Sequence, residues 1–147
     1  MVIAGCGVAG LYAALNLPAT CRVVMLSKGA VEECDSMLAQ GGICVLPEAG
    51  DYDSFFEDTM RAGHGANRRE SVDIMIRSSR AIVNDLLALG VEFQRAGDGS
   101  LAFTREGAHA RPRIAFKADI TGRAITTRLL DAVRALPNVR IYEHVAA

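Results

Sequence analysis

The sequence predicts an α/β fold that opens with a β-α-β unit and a parallel sheet. Three observations carry that expectation. An apolar triplet, Val2-Ile3-Ala4, runs directly into the glycine-rich stretch Gly5-Cys6-Gly7-Val8-Ala9-Gly10. A helix-forming segment, Leu11 to Leu17, then leads to a second apolar run, Arg22-Val23-Val24-Met25-Leu26. Near-continuous apolar runs of this length mark strands buried on both faces of a parallel sheet. Strand-like and helix-like segments keep alternating to the end of the chain, as an α/β architecture requires.

The stretch from Gly29 to Gly50 reads as mostly irregular, because Ala39-Gln40-Gly41-Gly42 is too small and glycine-rich to pack as a regular element. Asp53 to Ala62 reads as a helix capped by Asp51 or Asp53 and stopped near Gly63. Val72, Met75, Ile76, Ser79, Ile82, Val83, Leu86 and Leu87 recur three or four apart, the stripe of a longer amphipathic helix that Gly90 closes. Val91 to Phe93, Leu101 to Phe103 and Arg113 to Phe116 read as short strands around the turn Gly97-Asp98-Gly99. Thr121 is placed to cap a last helix through Leu136, and Pro137-Asn138 turns the chain into a terminal strand, Val139 to Tyr142. No internal repeat or low-complexity segment interrupts this order.

Composition narrows the function classes. The 147 residues are 50% hydrophobic and 22% charged, which suits a globular chain rather than a disordered one. A net charge of −1, with basic and acidic residues interspersed, argues against nucleic acid or an anionic membrane as partner. The four cysteines Cys6, Cys21, Cys34 and Cys44 stand singly, without a C-x-x-C or a histidine cluster at ligand spacing. That pattern points to reduced thiols in a cytoplasmic protein and to no metal site. Gly5, Gly7 and Gly10 break the opening apolar run well short of a signal peptide or membrane span. The first strand has almost no lead-in, and the chain stops at Val145-Ala146-Ala147 just after the last strand. Part of the protein is therefore expected to lie elsewhere.

The glycine stretch fits G-x-G-x-x-G after a strand and at the start of a helix. Its first glycine permits the tight turn, its second lets backbone approach a pyrophosphate, and its third allows close helix–strand packing. The helix N-terminus adds N–H donors and a positive dipole. The alternative is a tight β-α turn with no ligand. The fingerprint also expects an acid roughly 20 residues on, at the end of the second strand, to hold a ribose hydroxyl. Here that strand ends Leu26-Ser27-Lys28-Gly29, with Glu32 and Glu33 slightly late. A plain NAD domain is thereby disfavoured, while Lys28 reads either as a nucleotide contact or as a solvated strand-end charge.

Three separated motifs together resemble the succinate dehydrogenase, fumarate reductase and L-aspartate oxidase superfamily. They are Gly5 to Gly10, Leu26-Ser27-Lys28-Gly29, and Ser36-Met37-Leu38-Ala39-Gln40-Gly41-Gly42-Ile43. The resemblance implies a Rossmann-like FAD-binding domain, with this chain as the N-terminal part of a larger fold. A capping domain, a C-terminal helical domain and a catalytic arginine would follow beyond residue 147. FAD would lie on the glycine turn, contacted by Gly5, Cys6, Gly7, Val8, Ala9, Gly10, Ser27 and Lys28. The loop Asp35, Ser36, Met37, Leu38, Ala39, Gln40, Gly41 and Gly42 would run beside it, and Gly41 and Gly42 would let backbone amides approach where a Cβ would obstruct. In membrane-bound relatives a histidine before this loop carries the flavin covalently. Asp35 stands at that place, which implies non-covalent FAD.

Lys28-Gly29 and Thr104-Arg105-Glu106-Gly107-Ala108-His109 narrow the resemblance to the L-aspartate oxidase branch. By that match Glu106 orients the substrate by facing its ammonium group, which a dicarboxylate such as succinate lacks. The alternative is that Glu106 pairs with Arg105, Arg111 or Arg113 at a hairpin end. Ala108, Ala110, Arg111 and Pro112 depart from the family's pattern, which leaves His109 structural or catalytic alike. Ala118-Asp119-Ile120-Thr121-Gly122-Arg123 keeps it. The activity implied is oxidation of L-aspartate to iminoaspartate in NAD biosynthesis, with electrons passing to oxygen or fumarate and quinolinate synthase as functional partner. A soluble fumarate reductase or succinate dehydrogenase flavoprotein, or a dinucleotide-binding module without catalysis, are the alternatives.

Overall fold

In the computed structural model, residues 1–146 are described; Ala147, the last residue of the terminal run, lies outside them. The elements in chain order are β1 (Val2–Ala4), α1 (Val8–Leu15), β2 (Val23–Leu26), α2 (Asp35–Leu38), β3 (Ile43–Cys44) and α3 (Tyr52–Ala62). After them come α4 (Arg69–Ala88), β4 (Phe103–Thr104), β5 (Ile114–Ala115), α5 (Thr121–Arg134) and β6 (Val139–Tyr142). β1, β2 and β6 form a parallel sheet in that spatial order, with Ile3 opposite Met25 and Met25 opposite Ile141. The β-α-β start expected from the sequence is present. α1 begins earlier than expected, at Val8 rather than Leu11, because the glycine turn leads straight into its first turn.

The main core lies between this sheet and α5. Leu11 and Ala14 of α1, Val23 and Met25 of β2, and Leu129, Leu130 and Val133 of α5 are buried together. α4 bridges two clusters, since Val83 and Leu86 join the main core while Val72 and Ile76 pack with Phe55 of α3. Met75, expected on that buried stripe, is instead 45% exposed. Gly90 takes φ +86° and ends the helix region as expected. Among the described residues no helix is long and apolar enough to cross a membrane.

The segment expected to be irregular contains one short helix and one short strand besides its 3₁₀ turns. α2 forms because it packs against α5. A Cβ on Gly122 would overlap the Ser36 and Ala39 carbonyls, and the Gly122 N–H donates to the Ala39 carbonyl at 2.9 Å. β3 is an edge strand of a second, antiparallel sheet in the order β3-β5-β4. Val91 to Phe93, expected as a strand, is not one. Val91 and Phe93 are anchored by burial in the core, and the arm is paired by the isolated bridge Arg95–Leu101 and by the Gln94 N–H, which donates to the Phe116 carbonyl at 2.7 Å. Two expected caps are also absent. Asp51 precedes α3 but its side chain caps nothing, being committed to Arg113. Thr121 is the first residue of α5, and its Oγ1 accepts the Lys117 N–H at 2.9 Å.

Candidate functional site

The carboxyl ends of β1 and β2 open onto a groove of about 730 Å³, the place where open α/β sheets take their ligands. Gly5 adopts φ +104°, a left-handed conformation that suits glycine, and its N–H donates to the Leu26 carbonyl at 2.9 Å. A Cβ on Gly10 would overlap the Gly5 carbonyl, so the third glycine serves helix–strand packing. Gly7 is extended, and a Cβ there would stand 2.8 Å from Ser36 Oγ. That hydroxyl accepts the Val8 N–H at 3.1 Å. Ser36 thus satisfies one of the four N–H groups that an α-helix start leaves without intrahelical partners. The Cys6 side chain is buried in the core, so the turn offers backbone to a ligand at that point.

Across the groove stand Ser27, Lys28, Glu33, Cys34 and Asp35. Glu33 was read as too late to serve the fingerprint. A 3₁₀ turn over Val31–Glu33, fixed by the Val31 N–H donating to Glu143 Oε1 at 2.7 Å, brings it back to the strand end. Its Oε2 lies 3.3 Å from where a Cβ on Gly29 would sit. Glu32 instead points away to Arg134, at 2.8 Å. Only the fold could distinguish the two. Beyond Ser36, Met37 is buried against α5, whereas Leu38, Ala39, Gln40 and Gly41 are exposed. They form a strip leading from the groove toward a second cavity.

That cavity, about 430 Å³, is lined in part by Gly42, Cys44, Met75, Glu106 and His109. Glu106 is exposed, with Oε2 3.3 Å from the position of a Cβ on Gly41. Among the described residues it makes no ion pair, so the pairing with Arg105, Arg111 or Arg113 is not formed. Gly42 has a packing role: a Cβ there would overlap the Ala115 carbonyl and the Ile114 side chain of β5.

Arg113, absent from every expected site, is fully buried beneath the cavity. Its Nε and Nη2 donate to both oxygens of Asp51 at 2.7 and 2.9 Å, and Nη1 donates to Asp58 Oδ2 at 2.7 Å. Nη2 also donates to Ser54 Oγ at 3.1 Å, and Nη1 to His109 Nδ1 at 2.9 Å. The guanidinium lies 4.9 Å above the Phe55 ring. Burial pushes the Asp58 carboxyl up, but hydrogen bonds from the Ala110 N–H, Arg113 and Arg61 outweigh it and hold the pKa at about 2, below the ordinary 3.8. Its bond to Asp51 is the largest influence raising the Arg113 pKa. Burial, then the Arg113 charge, lower that of His109.

A protein-family profile described as "FAD binding domain" matches residues 1–147. The chain is 43% identical over 143 residues to an L-aspartate oxidase from Clostridium perfringens, covering 97% of this chain and 32% of the relative. It is 40% identical over 148 residues to one from Synechocystis sp., covering 100% of this chain and 27% of the relative. The chain therefore spans about a third or less of the length of these curated relatives. Among solved structures, an E. coli quinol fumarate reductase FrdA variant superposes with TM-score 0.92 at 24% identity, covering 97% of this chain and 25% of that one. A flavocytochrome c3 fumarate reductase superposes with TM-score 0.83 at 21% identity, covering 97% and 26%. At these identities the superpositions show the fold.

Two expectations follow from this geometry. Gly7→Val should displace Ser36 from the Val8 N–H and fill the face a pyrophosphate needs. The variant protein should keep its far-UV circular dichroism and lose copurifying FAD; stoichiometric flavin in the variant would refute the assignment of the turn. The second expectation concerns acid. The Asp58 pKa is depressed on folding, so its contribution to stability is complete above about pH 4 and is lost as pH falls from 3.8 toward about 2. Denaturant titrations across that window should show Asp58→Asn flattening the acid loss relative to wild type. Identical slopes would remove Asp58 from the account.

Proposed function

The chain belongs to the FAD binding domain family, and on that premise we propose that it is the N-terminal, cofactor-binding part of an FAD-dependent L-aspartate oxidase. The whole protein would convert L-aspartate to iminoaspartate in the cytoplasm. Electrons would leave to oxygen or fumarate, and the product would pass to quinolinate synthase in NAD biosynthesis. A capping domain, a C-terminal helical domain and a catalytic arginine would belong to the remainder of the enzyme. The identities to L-aspartate oxidases along the whole of this chain support the reading.

Gly5, Gly7 and the first turn of α1, through Val8, Ala9 and Gly10, would hold the pyrophosphate. Ser27, Lys28 and Glu33 offer polar groups at the β2 end, where the ribose of a dinucleotide lies in this fold. Asp35 through Gly42 would flank the rest of the cofactor. When bound, the flavin supplies the hydride acceptor, and the chain's own residues contribute placement and charge. The observation that carries the substrate assignment is Glu106. Among the described residues this carboxylate makes no ion pair, and it is exposed in a cavity beside the Gly41 backbone. An ammonium there gains a charge-assisted hydrogen bond, whereas a dicarboxylate without one meets only a like charge.

Two outcomes test the reading. Asp35 cannot form the linkage that a histidine makes to flavin, so acid precipitation of the full-length holoenzyme should leave the yellow colour in the supernatant; a coloured pellet would refute non-covalent binding. Glu106→Gln keeps the shape of the side chain and removes its charge. A charge-assisted hydrogen bond contributes roughly 1.5–3 kcal/mol, so kcat/KM for L-aspartate should fall about tenfold to a hundredfold. Fumarate reduction, which has no ammonium to lose, should hold or rise. Equal losses on both substrates would make Glu106 structural and overturn the assignment.

A further inference from the structure

We propose that His109, held by Arg113, is the positioning residue that places the Glu106 carboxylate beside the Gly41 backbone, and that it thereby sets the preference for an amino-acid substrate. This inference rests on the assignment of Glu106 to the substrate ammonium. The His109 N–H donates to the Glu106 carbonyl at 3.3 Å, closing a turn through Gly107 at φ +56°. The next N–H, that of Ala110, donates to Asp58 Oδ2 at 2.6 Å, and Arg61 Nη2 reaches the Ala108 carbonyl at 3.4 Å. The backbone that carries Glu106 is therefore fastened to α3.

The ring of His109 is fastened at both nitrogens. Arginine has donors and no acceptor, so Nδ1 must present a lone pair to Arg113 Nη1 and the proton must sit on Nε2. Nε2 lies 3.1 Å from Cys44 Sγ, which accepts that proton's hydrogen bond. Cys44 belongs to β3, two residues beyond Gly42. The imidazole thus ties the Glu106 turn to the strand that continues from Gly41 and Gly42. Phe55 closes one side edge-on, its centroid 5.4 Å from the ring. The charged groups around the imidazole are Arg113, Asp58 and Asp51, with Glu106 and the Cys44 thiol on the cavity side. Protonation of Nδ1 would set donor against donor at Arg113, which is why a neutral ring belongs here.

A histidine that only filled space would affect all substrates alike, and its loss would be felt whether or not Glu106 carried a charge. Coupling separates the two roles. In the full-length holoenzyme, His109→Phe should lower kcat/KM for L-aspartate about tenfold while fumarate reduction changes less than about twofold. On a Glu106→Gln background the same change should add less than about twofold, because the carboxylate to be placed is gone. His109→Asn, which retains an acceptor for Arg113, should recover part of the loss, and it carries the cycle if the phenylalanine variant does not fold. Equal losses in both backgrounds, or on both substrates, would overturn the proposal. If Glu106→Gln alone fails to discriminate the substrates, the underlying substrate assignment falls, and with it this inference. A readout independent of turnover is the ¹⁵N spectrum of the imidazole. It should show Nε2 protonated and Nδ1 bare at neutral pH, and a doubly protonated ring or the opposite tautomer would overturn the proposal.

Discussion

The buried guanidinium of Arg113 is the constraint on which the second half of the structure depends. Arginine carries five N–H donors in a rigid fork, and Arg113 uses all five, each bond ending on a different acceptor atom. Among the described residues no buried side-chain nitrogen or oxygen lacks a partner. Desolvating such a cluster offsets much of its Coulombic gain, so it is weak evidence for stability. Removing one partner is another matter, costing about 3–5 kcal/mol because a buried charge is left uncompensated. What the cluster determines is geometry. It specifies where the start of α3, β5 and the turn after Glu106 must meet.

The glycines divide the remaining geometric work, and their tasks differ more than their shared residue type suggests. Gly5 answers a backbone requirement, while Gly10, Gly42 and Gly122 answer packing ones. Gly7 stands between the two, since its missing side chain leaves room for the serine that satisfies the α1 start. Gly122 then ties that serine's helix to α5. The cradle is therefore braced from behind by α5, some distance along the chain from the glycine motif. A dinucleotide site of this kind needs a rigid backbone at the pyrophosphate, because its donors are main-chain N–H groups that cannot readjust separately.

Much of the fold was legible in the sequence where the signal is local. The strands β1, β2 and β6 and the helices α4 and α5 follow from apolar runs and helical periodicity. The short elements α2 and β3 were not legible, because nothing local stabilises them; they exist through contacts with α5 and β5. The two misread caps share one cause. Aspartate and threonine are good capping residues, but Asp51 found a buried guanidinium and Thr121 found the Lys117 N–H. The glycine turn was visible as a motif, and Glu106 as a candidate with an alternative partner left open. Arg113 was not visible as a hub, since its acidic partners lie 62 and 55 positions away.

A backbone shared with fumarate reductases cannot itself separate an amino acid from a dicarboxylate. Under the proposed function that separation must come from side chains, and electrostatics shows that one is enough. Two unit charges 4 Å apart interact by about 4 kcal/mol at the effective dielectric of a protein surface, and the sign reverses between an ammonium and a carboxylate. Such a term acts only if the charge is held in place, since a mobile, hydrated carboxylate would be screened and would swing away from a repelled substrate. Glu106 itself is exposed and, among the described residues, makes no ion pair, so its position must be set through its backbone. The Arg113–His109–Cys44 chain supplies that, tying the turn after Glu106 to a buried cluster of paired charges. A braced backbone and an exposed charge are what a site needs in order to discriminate by charge alone.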